Sequence, residues 1–436
     1  MEVQIISKEI VKPSSSTHPR TYNLSLLDQL APQLYVPMIF FYSSTGESSC
    51  KKSHHLKTSL SKTLTHFYPF AGRIKDGFSI DCNDEGASFS EANVAGKMSL
   101  IVDEPDIDKL EKLLPCNPRD VSPERSSQVM LAVQVNHFDC GGMAVGVCIW
   151  HIIADISAVA SFLTSWAAVA RGFGDDIEGV IFDCTSLFPP LDFQGFSYCE
   201  SRKEDLSNII VKRFVFDSSK LAALREEIGS RRCLDPPTRF EAIAALIWRA
   251  VMAEIEEENE NETKTNETSI AAVAVGMRKR MIPQLPKLSI GNIYEAAIAH
   301  CSKNDEELPD YNGLARKLHE SIGKVNNDYV KKIHSDGGYM QLLRKIGEEL
   351  GEKPSFGFSS WCKNQFYEVD FGWGKPTWVG TALKLYKVAV LMDTKDGEGI
   401  EAWVSLAKED MVKFEQNPGI RAYSSFKLTH TINVWG

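Results

Sequence analysis

The 436-residue chain lacks most of the features that assign a protein to a class at a glance. Its ten cysteines (Cys50, Cys82, Cys116, Cys140, Cys148, Cys184, Cys199, Cys233, Cys301 and Cys362) are scattered, and none forms a C-x-x-C pair. That removes the zinc-ribbon and thioredoxin-type readings and suits small core residues in a reduced, cytosolic protein. No stretch approaches the ~18 uninterrupted apolar residues of a membrane span. The opening MEVQIISKEIVKPSSS carries no apolar signal region, so a cytoplasmic protein without a membrane partner is expected. The N-x-[ST] sequons at Asn23, Asn261 and Asn266 then read as chance matches. Basic residues are not in excess: 48 Lys and Arg stand against 58 Asp and Glu, a net charge of −10. An acidic balance argues against nucleic acid or an anionic membrane as the main partner, while leaving room for a local basic patch. No internal repeat and no G-x-S-x-G nucleophile elbow occur.

What is present is an alternation of helical and strand patterns over a length that suggests two domains. Leu56, Leu60, Leu64 and Phe67 fall at helical spacing before Pro69. Phe78 to Cys82 reads as a short strand. Val129, Leu131, Val133 and Val135 alternate along a strand that DCGG turns back into a second one, Met143 to Trp150. Val159, Phe162, Leu163, Trp166 and Val169 then mark an amphipathic helix. The irregular stretch with Pro189-Pro190 gives domain limits of 1–190 and 212–436, joined by a crossover linker at 191–211. Thr238 and Glu241 form a capping-box pattern at the start of a helix running to Val251. The polar run Glu254 to Ser269 reads as a solvated loop, AAVAVGM as a buried strand, and Asp393 to Leu406 as strand end, turn and strand.

His151 sits where the second hairpin strand hands over to the helix, with Asp155 four residues on. A neutral imidazole there can take a proton from a hydroxyl. It can equally be a buried histidine satisfied by backbone groups, and Asp155 can be a helix N-cap. Near the C-terminus, Asp370-Phe371-Gly372-Trp373-Gly374 is either a tight segment presenting an indole N–H or an ordinary turn with a packed aromatic. A hydrolase using Ser157 with His151 is a further reading that the missing elbow opposes.

Taken together, HIIAD (His151 to Asp155) and DFGWG (Asp370 to Gly374), about 220 residues apart, resemble the plant BAHD acyltransferase family. NLSLLDQL, LSKTLTHFYPFAGR, FDCGG, SSWC and GIEAWVSL are similar to other family segments, so the likeness spans nearly the whole chain. CNDEG, HIIAD and FYEVDFGWGKP are most similar to the alkaloid-acetylating branch that includes vinorine synthase and deacetylvindoline acetyltransferase. The resemblance implies an α/β protein of two similar-sized domains. Each has a mixed sheet with flanking helices, chloramphenicol acetyltransferase-like, with a channel between them, and part of 372–395 returns to the first domain. It implies an acyl-CoA-dependent O-acyltransferase with no metal and no tightly bound cofactor. The donor would be an acyl-CoA, acetyl-CoA by branch, and the acceptor a small hydroxylated specialised metabolite, alkaloid or terpenoid-like. An amine acceptor or a catalytically silent relative are the alternatives. The protein is expected to be a monomer.

By the same resemblance His151 is the general base and the Trp373 indole the oxyanion donor, with Asp370, Gly372 and Gly374 supporting it. Asp155 is assigned to a structural ion pair with Arg278. The family's N-L-R reads Gly276-Met277-Arg278 here: the arginine is kept, and the asparagine, with any contact it makes, is not carried over. Trp150 and Ile156 also replace smaller residues, which leaves the acceptor open. Thr238 and Arg239, at a helix start suited to anions, are candidate CoA contacts, the alternative being a plain cap with a solvated arginine. Ser359 and Ser360 are the candidates that the resemblance adds.

Overall fold

A computed structural model describes residues 1–17, 20–122, 124–174, 177–191, 206–229, 236–259, 268–302, 310–334, 338–350 and 355–426. Along the chain the strands are β1 (Val3–Val11), β2 (Arg20–Asn23), β3 (Tyr35–Tyr42), β4 (Arg73–Ile74), β5 (Ser79–Cys82), β6 (Ala87–Val94), β7 (Leu131–Phe138) and β8 (Met143–Trp150). They continue with β9 (Ile209–Phe216), β10 (Thr268–Gly276), β11 (Tyr294–Ser302), β12 (Ser355–Ser360), β13 (Trp378–Gly380), β14 (Val388–Asp393) and β15 (Ile400–Ala407). The chain divides into two compact units.

The first unit comprises Met1–Tyr198, Pro283–Tyr294 and Asn364–Leu383. Its six-stranded sheet has the order β1-β6-β7-β8-β3-β13, and β2-β5-β4 form a small second sheet. Every residue of β3, β7 and β8 is buried. The alternation expected from Val129 onward is therefore a pattern of residue types and not of exposure, because both faces of this central pair are covered. On the face opposite Val133 and Val135, Gln134 and Asn136 donate to the carbonyls of Lys112 and Leu113 (3.0 and 2.9 Å). Buried amides in an apolar sheet are tolerated only when paired in this way. The helices Ser49–His66 and Ile156–Ala170 pack together, with Trp166 Nε1 donating to Ser59 Oγ (3.0 Å) and Phe70 stacked on Phe162 at 4.7 Å.

The second unit comprises Cys199–Ile282, Glu295–Lys363 and Lys384–Gly436. Its sheet runs β11-β10-β12-β14-β15-β9. β10, β12 and β14 are parallel neighbours, and β15 closes against β14 antiparallel. The helix Arg239–Asn259 buries Ala242 to Trp248 completely. Thr238 and Glu241 form the expected reciprocal cap: Thr238 N donates to Glu241 Oε2 (2.8 Å), and Glu241 N to Thr238 Oγ1 (3.2 Å).

One sequence expectation about boundaries needs correction. The C-terminal half is not one continuous domain from 212, because Pro283–Tyr294 and Asn364–Leu383 both belong to the first unit. Of the stretch 372–395, the part up to Leu383 lies in the first unit, where β13 pairs with β3, whereas β14 lies in the second unit's sheet. Of the linker 191–211, residues 192–205 lie outside the described residues, and Ile209 to Val211 already pair with β15. Residues 260–267 of the polar run, with Asn261 and Asn266, also lie outside them, as do Cys199 and Cys233. No helix among the described residues is long and apolar enough to cross a membrane.

Candidate active site

The run MAVGVCIW forms β8, and its register against β3 sets Trp150 opposite Tyr35. His151 is thus the first residue beyond the ladder. Its N–H donates to Leu34 O (2.9 Å), and a single 3-10 turn, His151–Ile153, swings the chain into the helix. That helix is alanine-rich and starts cleanly at its N-cap, Asp155, whose Oδ1 accepts from Ala158 N (2.9 Å). The strand end projects the imidazole, and the cap keeps the helix from consuming the histidine.

The ring is partly exposed, and polar groups surround it on the protein side. Asn292, fully buried, donates from Nδ2 to His151 O (2.8 Å) and to Asp28 Oδ1 (2.9 Å), and its N–H donates to the same oxygen (2.7 Å). Asp28 Oδ2 accepts from Ser25 N, Ser25 Oγ and Tyr22 OH. His151 Nδ1 and Asn292 Oδ1 are both buried without a hydrogen-bond partner. Burial pushes the His151 pKa below its ordinary value, while its own carbonyl, the Asp155 charge and the Asn292 amide pull the other way. The net direction is downward, so the imidazole is neutral near pH 7, the form a general base needs. Tyr294 lies beside it, with ring centroids 6.2 Å apart.

Asp155 is buried, and both its oxygens accept backbone N–H groups: Oδ1 from Ala158 and Oδ2 from Ile293 (2.9 Å). It clamps the helix start to the returning segment 283–294. Ser157 Oγ donates to Asn364 Oδ1 (3.3 Å), which does not fit a nucleophile primed by His151. Trp150 is buried against Tyr35 (4.8 Å between rings), and Ile156 is a half-buried first helical residue.

The Trp373 expectation is overturned. Its ring packs on Tyr42 (6.0 Å), His55 (5.9 Å) and Phe371 (5.8 Å), with Lys52 Nζ 5.7 Å from its centroid. Tyr42 pairs with Met143 at one end of the β3–β8 ladder, and Tyr35 pairs with Trp150 at the other. Seven strand residues at about 3.4 Å each separate those ends by roughly 24 Å. An oxyanion donor has to stand about 3 Å from the developing charge. Trp373 is a packed aromatic at the far end of the strands from His151. Asp370, Gly372 and Gly374 support that packing: Asp370 Oδ1 accepts from Gly372 N (2.8 Å) and Gly374 N (2.9 Å), and Gly372 has φ +109. His55 Nε2 contacts Phe371 O (3.1 Å), and Tyr42 OH donates to Val369 O (2.8 Å).

In the second unit, Arg239 is not a bare cation. It donates to Asp393 Oδ1 (2.8 Å), Gly397 O (2.6 Å) and Glu398 O (3.0 Å), tying the turn between β14 and β15 to the helix start. Its charge is met by Asp393, so its expected role as the phosphate contact gives way to this structural one. The Thr238 hydroxyl is committed to its cap. Ser359 and Ser360 are half-buried at the C-terminal end of β12, where Trp361 Nε1 donates to Ser359 Oγ (3.1 Å). Arg278 follows β10 at that same end of the parallel strands. A Cβ at Gly276 would meet nothing within 4 Å, so packing does not require glycine there.

Asp28, Gly291 and Asn292 escaped the sequence reading. Gly291 has φ +132, and a Cβ on it would stand 2.9 Å from Cys184 Sγ and 3.5 Å from Asp28 Oδ1. Ser25-x-x-Asp28 is a legible capping box, and GN in SIGNIY a legible turn; their meeting across 264 residues has no local signal.

The model of the Transferase family matches residues 1–420. The chain belongs to this family, the BAHD acyltransferases. It is similar to epi-neemfruitin B synthase of Melia azedarach, 47% identical over 98% of this chain and 99% of that protein. It is also similar to a limonoid 1-O-acetyltransferase of Citrus sinensis, 44% identical with the same coverage. The stemmadenine O-acetyltransferase of Catharanthus roseus is 36% identical over 94% of this chain and 95% of its own length. The crystal structure of vinorine synthase superposes with a TM-score of 0.80 at 34% identity, covering 94% of this chain and 96% of that one. The BAHD chain is thus an enzyme of two mixed-sheet α/β domains that transfers an acyl group, with acyl-CoA as co-substrate.

Proposed function

We propose that this BAHD enzyme transfers an acetyl group from acetyl-CoA to a hydroxyl of an oxygenated triterpenoid of the limonoid type, with His151 as general base. The observation that carries the mechanism is the imidazole projected from the end of β8, whose pKa desolvation lowers so that the ring is neutral near pH 7. His151 Nε2 removes the acceptor's hydroxyl proton as the oxygen attacks the thioester carbonyl. The tetrahedral oxyanion collapses, the C–S bond breaks, and the departing thiolate takes the proton back from His151. No covalent enzyme intermediate is required. Full-length similarity to two limonoid O-acetyltransferases of Citrus sinensis, at 44% and 42% identity against 36% for the stemmadenine enzyme, supports the acceptor class.

Asp155 is read as architectural, through its two backbone contacts and an ion pair with Arg278. Ser359 and Ser360 are read as contacts of the CoA pantetheine or phosphate. Their position at the carboxyl end of a parallel strand, a habitual ligand-binding edge of α/β sheets, supports this. The enzyme is further read as a cytoplasmic monomer.

The test is a CoA-release assay with acetyl-CoA and three acceptor sets: hydroxylated limonoids, alkaloid alcohols and amines. Acceptor-dependent release with a limonoid alcohol, and an acetyl ester as product, is expected. Release only with amines would make it an N-acyltransferase. Release without acceptor would indicate hydrolysis, and no release with any set would indicate a silent relative.

A further inference from the structure

The proposal concerns what holds the base. Asp28 is completely buried, yet its two oxygens accept five hydrogen bonds: from Ser25 N, Ser25 Oγ, Tyr22 OH, Asn292 N and Asn292 Nδ2. On Oδ1 both partners are N–H groups that can only donate, so Oδ1 is an acceptor even though burial pushes the Asp28 pKa up. One of these donors, the Asn292 amide, has its other hydrogen on His151 O. Asp28 Oδ1 and the His151 carbonyl are acceptors only, so the amide nitrogen must face them both. That fixes which way Asn292 points and turns its Oδ1 to the remaining side, where it is buried and without a partner. His151 Nδ1 is the complementary orphan.

We infer that Asp28 is a positioning residue that acts through Asn292 to hold His151 in the Nδ1–H tautomer, leaving the Nε2 lone pair free. This rests on the reading of His151 as base. The two unpartnered atoms belong to residues already joined through the His151 carbonyl; an acceptor turned toward Nδ1 favours a proton there, and a neutral imidazole with a proton on Nδ1 has none on Nε2. Gly291 makes the arrangement reachable, since a side chain at its φ of +132 would run into Cys184 and approach the Asp28 carboxylate. An amide in place of Asp28 can turn its NH2 toward Asn292. Asn292 then gains by reversing, which presents NH2 to the imidazole and selects the opposite tautomer, with Nε2 protonated and useless as a base.

The experiment uses the full chain labelled with 15N-histidine. Long-range 1H–15N spectra are recorded above the histidine titration range, and the His151→Ala spectrum identifies the resonances. The wild type is expected to show Nδ1–H at His151. Asp28→Asn is expected to shift the population toward Nε2–H and to lower kcat on the order of 10²-fold or more, with the KM for acetyl-CoA little changed. Asn292→Ala removes the same acceptor and is expected to lower kcat likewise. An Nε2–H tautomer in the wild type overturns the proposal, whether or not either variant folds. So does a folded Asp28→Asn with wild-type kcat and tautomer. High activity in folded His151→Ala would sink the base reading itself. An inactive His151→Ala beside a fully active Asp28→Asn would sink only the relay.

Discussion

The two ends of the β3–β8 ladder carry the two motifs by which this chain resembles its family, and they are built on opposite plans. At the Tyr35–Trp150 end a carboxylate, an amide and an imidazole are gathered, with His151 Nδ1 and Asn292 Oδ1 left unpaired, whereas among the described residues of the aromatic cluster at the other end the one such atom is the Trp373 indole nitrogen. An unpaired buried polar atom costs about 1–3 kcal/mol, so such atoms persist only where the surroundings enforce them. At the Tyr42–Met143 end, Tyr42, His55, Phe371 and Trp373 form an aromatic cluster, and the glycines of DFGWG turn the chain over the Asp370 carboxylate. A sequence motif marks both equally well. The structure separates an end that carries the proposed base from an end that holds the first unit's returning segment in place.

The comparison is most directly broken by mutating both ends. His151→Ala should lower kcat by roughly 10²–10⁴-fold while the unfolding midpoint stays near wild type. Trp373→Phe and Gly372→Ala should do the reverse. Each should cost about 1–3 kcal/mol of stability, through lost packing and through strain at a positive φ, with kcat close to normal. Steady-state kinetics and urea unfolding on the same preparations decide it. A kcat loss in Trp373→Phe as large as that in His151→Ala would erase the distinction.

A smaller effect sharpens the role of Asp155. If it braces the site through Ala158, Ile293 and Arg278, then Asp155→Asn and Arg278→Gln should reduce activity to similar extents. The double mutant should then depart from additivity by about 0.5–3 kcal/mol. Independent losses would leave Asp155 with its two backbone contacts alone.

The smallest expected effect is in the pH profile. The base must be unprotonated, and burial disfavours the charged imidazole, so the acid limb of kcat/KM should lie below the ordinary histidine value of about 6.5. His137, near the aromatic end and also lowered by burial, contacts Ser53 Oγ at 3.0 Å and is not assigned to the proposed reaction. His137→Gln should therefore leave that limb where it is. A limb centred above 6.5, or one that moves with His137, contradicts the assignment.

Much of this molecule is legible locally. The hairpin ending at Trp150, the Asp155 N-cap, the Thr238–Glu241 capping box and the two α/β domains all follow from side-chain periodicity, caps and family wording. These are short-range matters, set by which residues pack, branch or hydrogen-bond within a few positions of one another. Tertiary structure alone decided the rest. It carried Pro283–Tyr294 back into the first unit, where Asn292 meets Asp28 and His151. It placed Trp373 a full strand length from the base, and gave the Arg239 charge to Asp393. Each of these depends on contacts between residues far apart in the chain, whose partners are chosen by the packing of whole sheets and helices. No periodicity or motif within a short window encodes that choice.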